Sequence, residues 1–260
     1  MSEKILKRNN QLQAFNPNKV LERIKNTCTD PKPVLDQVNC DKLAIRVIAR
    51  ISNGISSSAI DEITAAIADP MGLESTQYSD LASRIIISNH HKNTQHWIIN
   101  KLHITKQQYE QNCFYWTCKA LKHENNNSVL NPELMQFIEQ HKDQIERIID
   151  YNLDYRFNYM GALKLINNYL LKTSVHDQPV AVERPQHLFM RLALGIWFKD
   201  TNTCWKDIEK QISKTYWWVS QGYFIHATPS LFNAGTRIQQ FSSCFLTTCA
   251  KDSLDSIYDW

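Results

Sequence analysis

The residues best placed to do chemistry lie near the end of the chain. His226-Ala227-Thr228-Pro229-Ser230-Leu231-Phe232-Asn233-Ala234-Gly235-Thr236 is followed by Phe241-Ser242-Ser243-Cys244-Phe245-Leu246. Pro229, Asn233 and Gly235 punctuate a loop, and Phe241 to Cys249 reads as a strand that begins with two serines and a cysteine. Such a layout presents hydroxyls, backbone amides and one thiol at the mouth of a sheet, where small ligands bind.

The elements that must carry this segment are mainly helical. Ile5–Arg8 and Leu12–Phe15 flank Asn9-Asn10-Gln11, the pattern of a tight hairpin. Asn16-Pro17 then supplies a cap and a first helical residue, with Val20, Leu21 and Ile24 as the apolar stripe. A second helix is expected from Asp41 to Ile51, and Gly54 ends it. Ser56-Ser57-Ser58 caps a third helix carrying Asp61, Ile63 and Ile67. A long fourth helix is expected from Tyr78 to about Leu102, apolar over a wide face through Leu81 and Ile85–Ile87. Farther on, Asn131-Pro132 opens a helix that reaches about Tyr151, and Asp207 to Gly222 is amphipathic, with Trp217 and Trp218 expected to pack against neighbours. Cys113, Phe114, Trp116 and Cys118 read as core, because a C-x4-C spacing suits zinc poorly.

Composition narrows the function classes. At 260 residues the chain holds one or two domains, and 43% hydrophobic with 21% charged residues is globular. A net charge of +3 argues against nucleic acid as the partner. Six glycines and the absence of GxGxxG or a P-loop argue against a dinucleotide fold. Seven cysteines are scattered with no zinc spacing, so no metal is expected. With no apolar leader at the N-terminus and no run of spanning length, the expectation is a cytoplasmic chain with free thiols and no membrane partner.

His226–Gly235 followed by Ser242-Ser243-Cys244 resembles the substrate-binding segment of the large, catalytic subunit of class I ribonucleotide reductases, nearest to the eukaryotic and large-DNA-virus branch. The resemblance implies reduction of ribonucleoside diphosphates to deoxyribonucleoside diphosphates for DNA synthesis. It implies that Thr228 and Ser243 hold the substrate and that Cys244 is one of two thiols that become a disulfide. Taken alone, Cys244 reads as a buried strand cysteine, the commoner fate of an isolated cysteine. Asp252-Ser253-Leu254 matches the start of the specificity-effector site, and Asp252 or Ser253 also reads as a helix cap. Also implied are a homodimer of large subunits, a small subunit holding the radical cofactor, and thioredoxin or glutaredoxin as reductant. Val182-Glu183-Arg184-Pro185-Gln186-His187 and Asp154–Gly161 resemble the helical region ahead of the catalytic barrel, where they fix helix starts and inter-helix contacts.

The hairpin with four helices resembles the ATP-cone domain of the same family. The matching residues are Lys7, Arg8, the run Gln13-Ala14-Phe15-Asn16-Pro17-Asn18-Lys19, Ser57, Asp61 and Lys92, which the resemblance sets around ATP or dATP. Lys and Arg donors suit triphosphate oxygens; read singly, the same cations are solvated surface charges. Where the family has Asp-Gly after the Lys-Arg pair this chain has Asn9-Asn10, and asparagine tolerates the positive φ such a turn needs. The expected architecture is therefore mainly α: an ATP cone (1–100), a helical domain (101–222), and the first strand of an α/β barrel (223–260). Because the chain ends at Trp260, soon after that strand, the expectation is an N-terminal portion that does not catalyse alone. A stand-alone ATP/dATP-binding module is the alternative.

Overall fold

The computed structural model describes residues 3–121, 128–175, 178–200 and 202–258. Strands β1 (Lys4–Leu6) and β2 (Leu12–Ala14) pair antiparallel with Ile5 opposite Gln13. Their turn closes through Lys7 N–H to the Gln11 carbonyl and Asn10 N–H to the Lys7 carbonyl, both 2.9 Å, with Asn10 at φ 60°. This is the left-handed conformation that asparagine tolerates. Leu6 N–H donates to the Ile55 carbonyl at 2.9 Å, fastening the hairpin to the start of the third helix.

Four helices complete this first body: α1 (Pro17–Thr29), α2 (Cys40–Ile48), α3 (Ser57–Ala68) and α4 (Gln77–Leu102). Side chains cap the first three, Asn16 accepting from Asn18 N–H, Asn39 from Lys42 N–H and Ser56 from Ala59 N–H. Each such cap satisfies an orphan amide of the first turn. Ile24, Leu43, Val47, Ala65, Leu81 and Ile85 form the core.

The 26 residues of α4, at 1.5 Å per residue about 39 Å long, run out of this core and into the next. Residues Leu81–Ile87 are buried on every side, because the first body covers one face and the second covers the other. Helices α5 (Lys106–Gln111), α6 (Cys113–Ala120), α7 (Pro132–Gln140), α8 (Lys142–Ile148) and α9 (Tyr159–Lys164) follow. A hairpin, β3 (Lys172–Val175) with β4 (Gln178–Ala181), then leads into α10 (Pro185–Trp197) and α11 (Trp205–Ser220). Every residue of α10 from Pro185 to Gly195 is buried, which makes it the axis of the second core rather than a surface helix. Phe114 and Cys118 are buried there as expected and Cys113 in a smaller cluster with Ile98 and Tyr109, while Trp116, also expected as core, is only partly buried.

Four sequence expectations change. The helix from 131 is two helices, broken at His141, whose backbone leaves the helical region at φ −116°. Trp217 and Trp218 are 48% and 42% exposed. The buried stripe of α11 is Trp205, Ile212, Tyr216 and Val219, and the tryptophans fall out of phase with it. The 228–236 loop contains a short helix, α12 (Thr228–Asn233), started by Pro229 in its first turn. Residues 241–249, expected as a strand, run irregularly with no ladder among the described residues. A strand exists only where a neighbour takes its N–H and C=O groups, and residues 241–250 are exposed throughout. The final helix, α13 (Leu254–Tyr258), buries no residue.

Candidate functional site

The first body contains a cavity of about 160 Å³ between the hairpin and helices α1, α3 and α4. It is lined by Lys7 and Arg8 at the end of β1, Phe15 and Asn16 at the entry to α1, and Lys19 and Arg23 on α1 itself. Ser57 and Asp61 reach it from α3 and Lys92 from α4. Ile5, Val20, Ile60 and Thr64 give it an apolar wall with one hydroxyl. Eight of the residues expected from sequence thus share one cavity. Gln13 and Ala14 lie outside the lining, on β2, as do Pro17 and Asn18 in the first turn of α1. Arg23 and Thr64 were not anticipated. The signal for Arg23 is its spacing from Lys19, one helical turn, which puts both cations on the same face.

Five cations and one carboxylate line this space. Asp61, 6% exposed, receives Arg23 in a fork, Nε to Oδ1 at 3.2 Å and Nη2 to Oδ2 at 3.3 Å. Arg8 Nη2 stands 3.8 Å from Oδ2. Arg8 is also aimed from behind, with Nε donating to Asn93 Oδ1 at 2.7 Å and Nη2 donating to Asn89 Oδ1. Ser58 ties those amides to α3, its Oγ accepting from Asn93 Nδ2 at 2.8 Å. Burial, then repulsion by Arg23, lowers the Lys92 ammonium to about 8, only partly offset by Asp61. Burial and the neighbouring Lys19 and Arg8 charges lower Lys7 as well. Excess positive charge held at short range without matching carboxylates is the electrostatics of a polyanion site.

The opposite side of α4 faces the second body. His90 Nε2 meets the Glu183 carbonyl at 2.8 Å, and His91 Nε2 meets Asp154 Oδ2 at 2.7 Å. Burial drives His90 down to about 4, so it is neutral at physiological pH. Asp154 also accepts from Gln186 N–H at 3.0 Å, at the start of α10.

Glu183 and Arg191 form a buried pair, Arg191 Nε to Glu183 Oε1 at 2.7 Å and Nη2 to Oε2 at 3.1 Å. The remaining donors of Arg191 reach the carbonyls of Ala234 (2.6 Å), Leu231 (3.0 Å) and Phe232 (3.4 Å). Gly235 turns at φ +74° against Arg191. A Cβ on Gly195 would come within 2.2 Å of the Gly235 nitrogen, so α10 and this turn touch backbone to backbone. Thr228 Oγ1 lies 3.3 Å from the Tyr169 hydroxyl.

Beyond the turn the packing stops. Ser243 and Cys244 are exposed, as are Asp252, Ser253 and Leu254. Ser253 Oγ accepts from Ser256 N–H at 3.2 Å, the geometry of a helix cap. Among the described residues, no group of three or more His, Cys, Asp or Glu is arranged to hold a metal ion. No described helix is long and apolar enough to cross a membrane.

Residues 3–93 match the ATP cone domain, and residues 155–239 match the all-alpha domain of ribonucleotide reductase. Over 257 residues the chain is 34% identical to the ribonucleoside-diphosphate reductase large subunit of Variola virus, covering 98% of this chain and 30% of that protein. The same identity and coverage hold for the large subunit of Vaccinia virus (strain Copenhagen). For the Arabidopsis thaliana large subunit the identity is 32% over 262 residues, covering 98% of this chain and 28% of that protein. The chain therefore spans about 30% of the length of these viral relatives.

Proposed function

We propose that this chain, which belongs to the large-subunit family of ribonucleoside-diphosphate reductases, contributes an ATP/dATP effector site and one wall of a substrate site to ribonucleotide reduction. The observation that supports the effector site most directly is the convergence of Lys7, Arg8, Lys19, Arg23 and Lys92 on one cavity with Asp61 as its only carboxylate. Lys7, Arg8, Lys19 and Lys92 take the phosphates, while Asn16, Ser57 and Asp61 hydrogen-bond sugar and base beside Phe15 and Ile60. Gln13, Ala14, Pro17 and Asn18 shape the rim. A cavity volume of about 160 Å³ is below the ~300–1,000 Å³ of whole-ligand pockets. It therefore houses one end of a nucleotide and leaves the rest in the open mouth.

Thr228 and Ser243 hold a ribonucleoside diphosphate. Cys244 is this chain's member of a thiol pair, which supplies two electrons and two protons as it becomes a disulfide. Asp252, Ser253 and Leu254 begin the specificity-effector site. The functional units are a cone (1–100), a helical support (101–222) and a catalytic segment (223–260), working in the cytoplasm as a homodimer. A radical-generating small subunit and thioredoxin or glutaredoxin complete the cycle.

Titration calorimetry on the whole chain tests the effector site. Saturable binding of ATP or dATP that weakens steeply with salt is expected, and no heat with either nucleotide overturns it. A second reading, a nucleotide-binding module without catalysis, is favoured for these 260 residues by the exposure of Cys244 on an unpaired segment. Incubation with a radical-generating small subunit, dithiol and CDP is expected to give no dCDP; turnover would remove that second reading.

A further inference from the structure

We propose that Cys28 and Cys40 are a redox-modified thiol pair that closes to a disulfide when the chain meets a peroxide. Cys28 lies in the last turn of α1, and Cys40 is the first residue of α2. Their sulfurs stand 3.8 Å apart in a thiol–thiol contact. A disulfide of ~2.05 Å needs them to close by roughly 1.8 Å, a shift within the reach of side-chain rotation at both residues.

The backbone between them is already gathered. Leu35 N–H donates to the Cys28 carbonyl at 2.8 Å, and Asn39 N–H donates to the Tyr78 hydroxyl at 3.0 Å. From α4, the Arg84 guanidinium donates to the carbonyls of Pro31 at 2.6 Å and Pro33 at 2.7 Å. The ends of α1 and α2 are thus held together before any bond forms, so little chain entropy remains to be lost in the native state.

Exposure assigns the order of events. Cys28 is 4% exposed, whereas Cys40 is half-buried and open to solvent on one side. Burial, then the nearby Cys40 sulfur, pushes the Cys28 thiol up to about 12, which makes it a poor first nucleophile. The Cys40 sulfur therefore attacks the peroxide, breaking its O–O bond to give Cys40 sulfenic acid and one water. The Cys28 sulfur then displaces the sulfenic hydroxyl, its own thiol proton leaving with that hydroxyl as a second water. Two thiols lose two electrons and two protons, and one hydrogen peroxide becomes two waters. Neither cysteine lines the nucleotide cavity, so this inference does not depend on what that cavity binds.

Graded hydrogen peroxide followed by alkylation and non-reducing peptide mass spectrometry reads the outcome. A cross-linked peptide joining Cys28 to Cys40, reversed by dithiothreitol, is expected. The unfolding midpoint of the oxidised chain should rise by roughly 5 °C or more, from closure of a short loop. Cys40→Ser should leave Cys28 a free thiol, and Cys28→Ser should leave Cys40 as a sulfenic acid trapped by dimedone. The wild-type measurement stands even where a variant does not fold. Recovery of Cys28 and Cys40 as thiols after the exposed Cys204, Cys244 and Cys249 have oxidised would overturn the proposal. Cross-linking of either one to a different cysteine would do the same.

Discussion

The two candidate sites of this chain are built in opposite ways. The cavity of the first body is complete within residues 5–92, and Arg8, Arg23 and Asp61 there have partners that aim them. The segment from 241 to 258 carries the one thiol of interest on exposed backbone outside any sheet. Between them stands the 231–235 turn, ordered because Arg191 holds three of its carbonyls. The contrast teaches where a site's order comes from. Lys92 meets Arg8 because α4 and the hairpin share a core, whereas nothing of that kind reaches Cys244.

That comparison can be broken or sharpened by substitution. The largest effect is expected from Arg191→Ala, which leaves the Glu183 carboxylate with the Leu171 N–H but no cation and removes the guanidinium from three carbonyls, in a site 1% exposed. Loss of about 3–5 kcal/mol is expected by denaturant unfolding. Hydrogen exchange should quicken at 231–236, while calorimetric nucleotide binding persists. Equal exchange in wild type and variant would mean that the turn is ordered by something other than Arg191. Arg8→Ala comes next, removing one charged donor aimed by Asn89 and Asn93. Weakening of nucleotide affinity by roughly 10–100-fold is expected, with unfolding little changed; unaltered affinity would remove Arg8 from the site.

A smaller effect follows from Lys92. Its ammonium, lowered to about 8, is charged below that pH and gives up its proton above it. A bound phosphate favours the charged form, so affinity should fall as pH rises, by roughly threefold between pH 7.5 and 8.5. Lys92→Met should abolish that slope. The same shift acts on folding with the opposite sense. Between about pH 8 and the unfolded lysine value of 10.5 the unfolded chain binds more protons, so this group's contribution to stability rises with pH across that window. The smallest effect is expected for Leu246→Asp, at a residue 97% exposed. Unfolding should change by no more than ~0.5 kcal/mol; a larger loss would show that the 241–249 segment packs after all.

Legibility in the sequence followed the range of the interactions. Asn16-Pro17, Ser56 and Asn131-Pro132 announced helix starts because a cap is written within four residues. Eight residues of the cavity were legible from their resemblance to a known domain, whereas Arg23 and Thr64 were missed, although Arg23 stands one helical turn from Lys19. The break at His141 was not legible, since Leu134, Phe137, Ile145 and Ile148 continue an apolar pattern across it. Trp217 and Trp218 misled because their size argues for burial while their phase on α11 argues against it, and phase decided. Residues 241–249 have strand-like composition. Pairing, however, is a property of two segments, and among the described residues no second segment takes the backbone groups of 241–249.

One consequence of α4 concerns transplantation. Asn89, Lys92 and Asn93 serve the cavity, while His90 and His91 serve the second body, so the two halves of the molecule take alternate residues of the same helical turns. A graft that cuts at residue 93, where the ATP cone match ends, would sever a continuous helix and strip it of Trp97 and Ile98, which anchor it in the next core. Inserting a single residue after Ser88 would turn everything beyond it by about 100°, setting Asn89 where His90 meets the Glu183 carbonyl, His90 where His91 meets Asp154, and His91 in the cavity position of Lys92. The natural seam for moving this first body to another protein is His103, which ends α4 in the left-handed conformation at φ 51°.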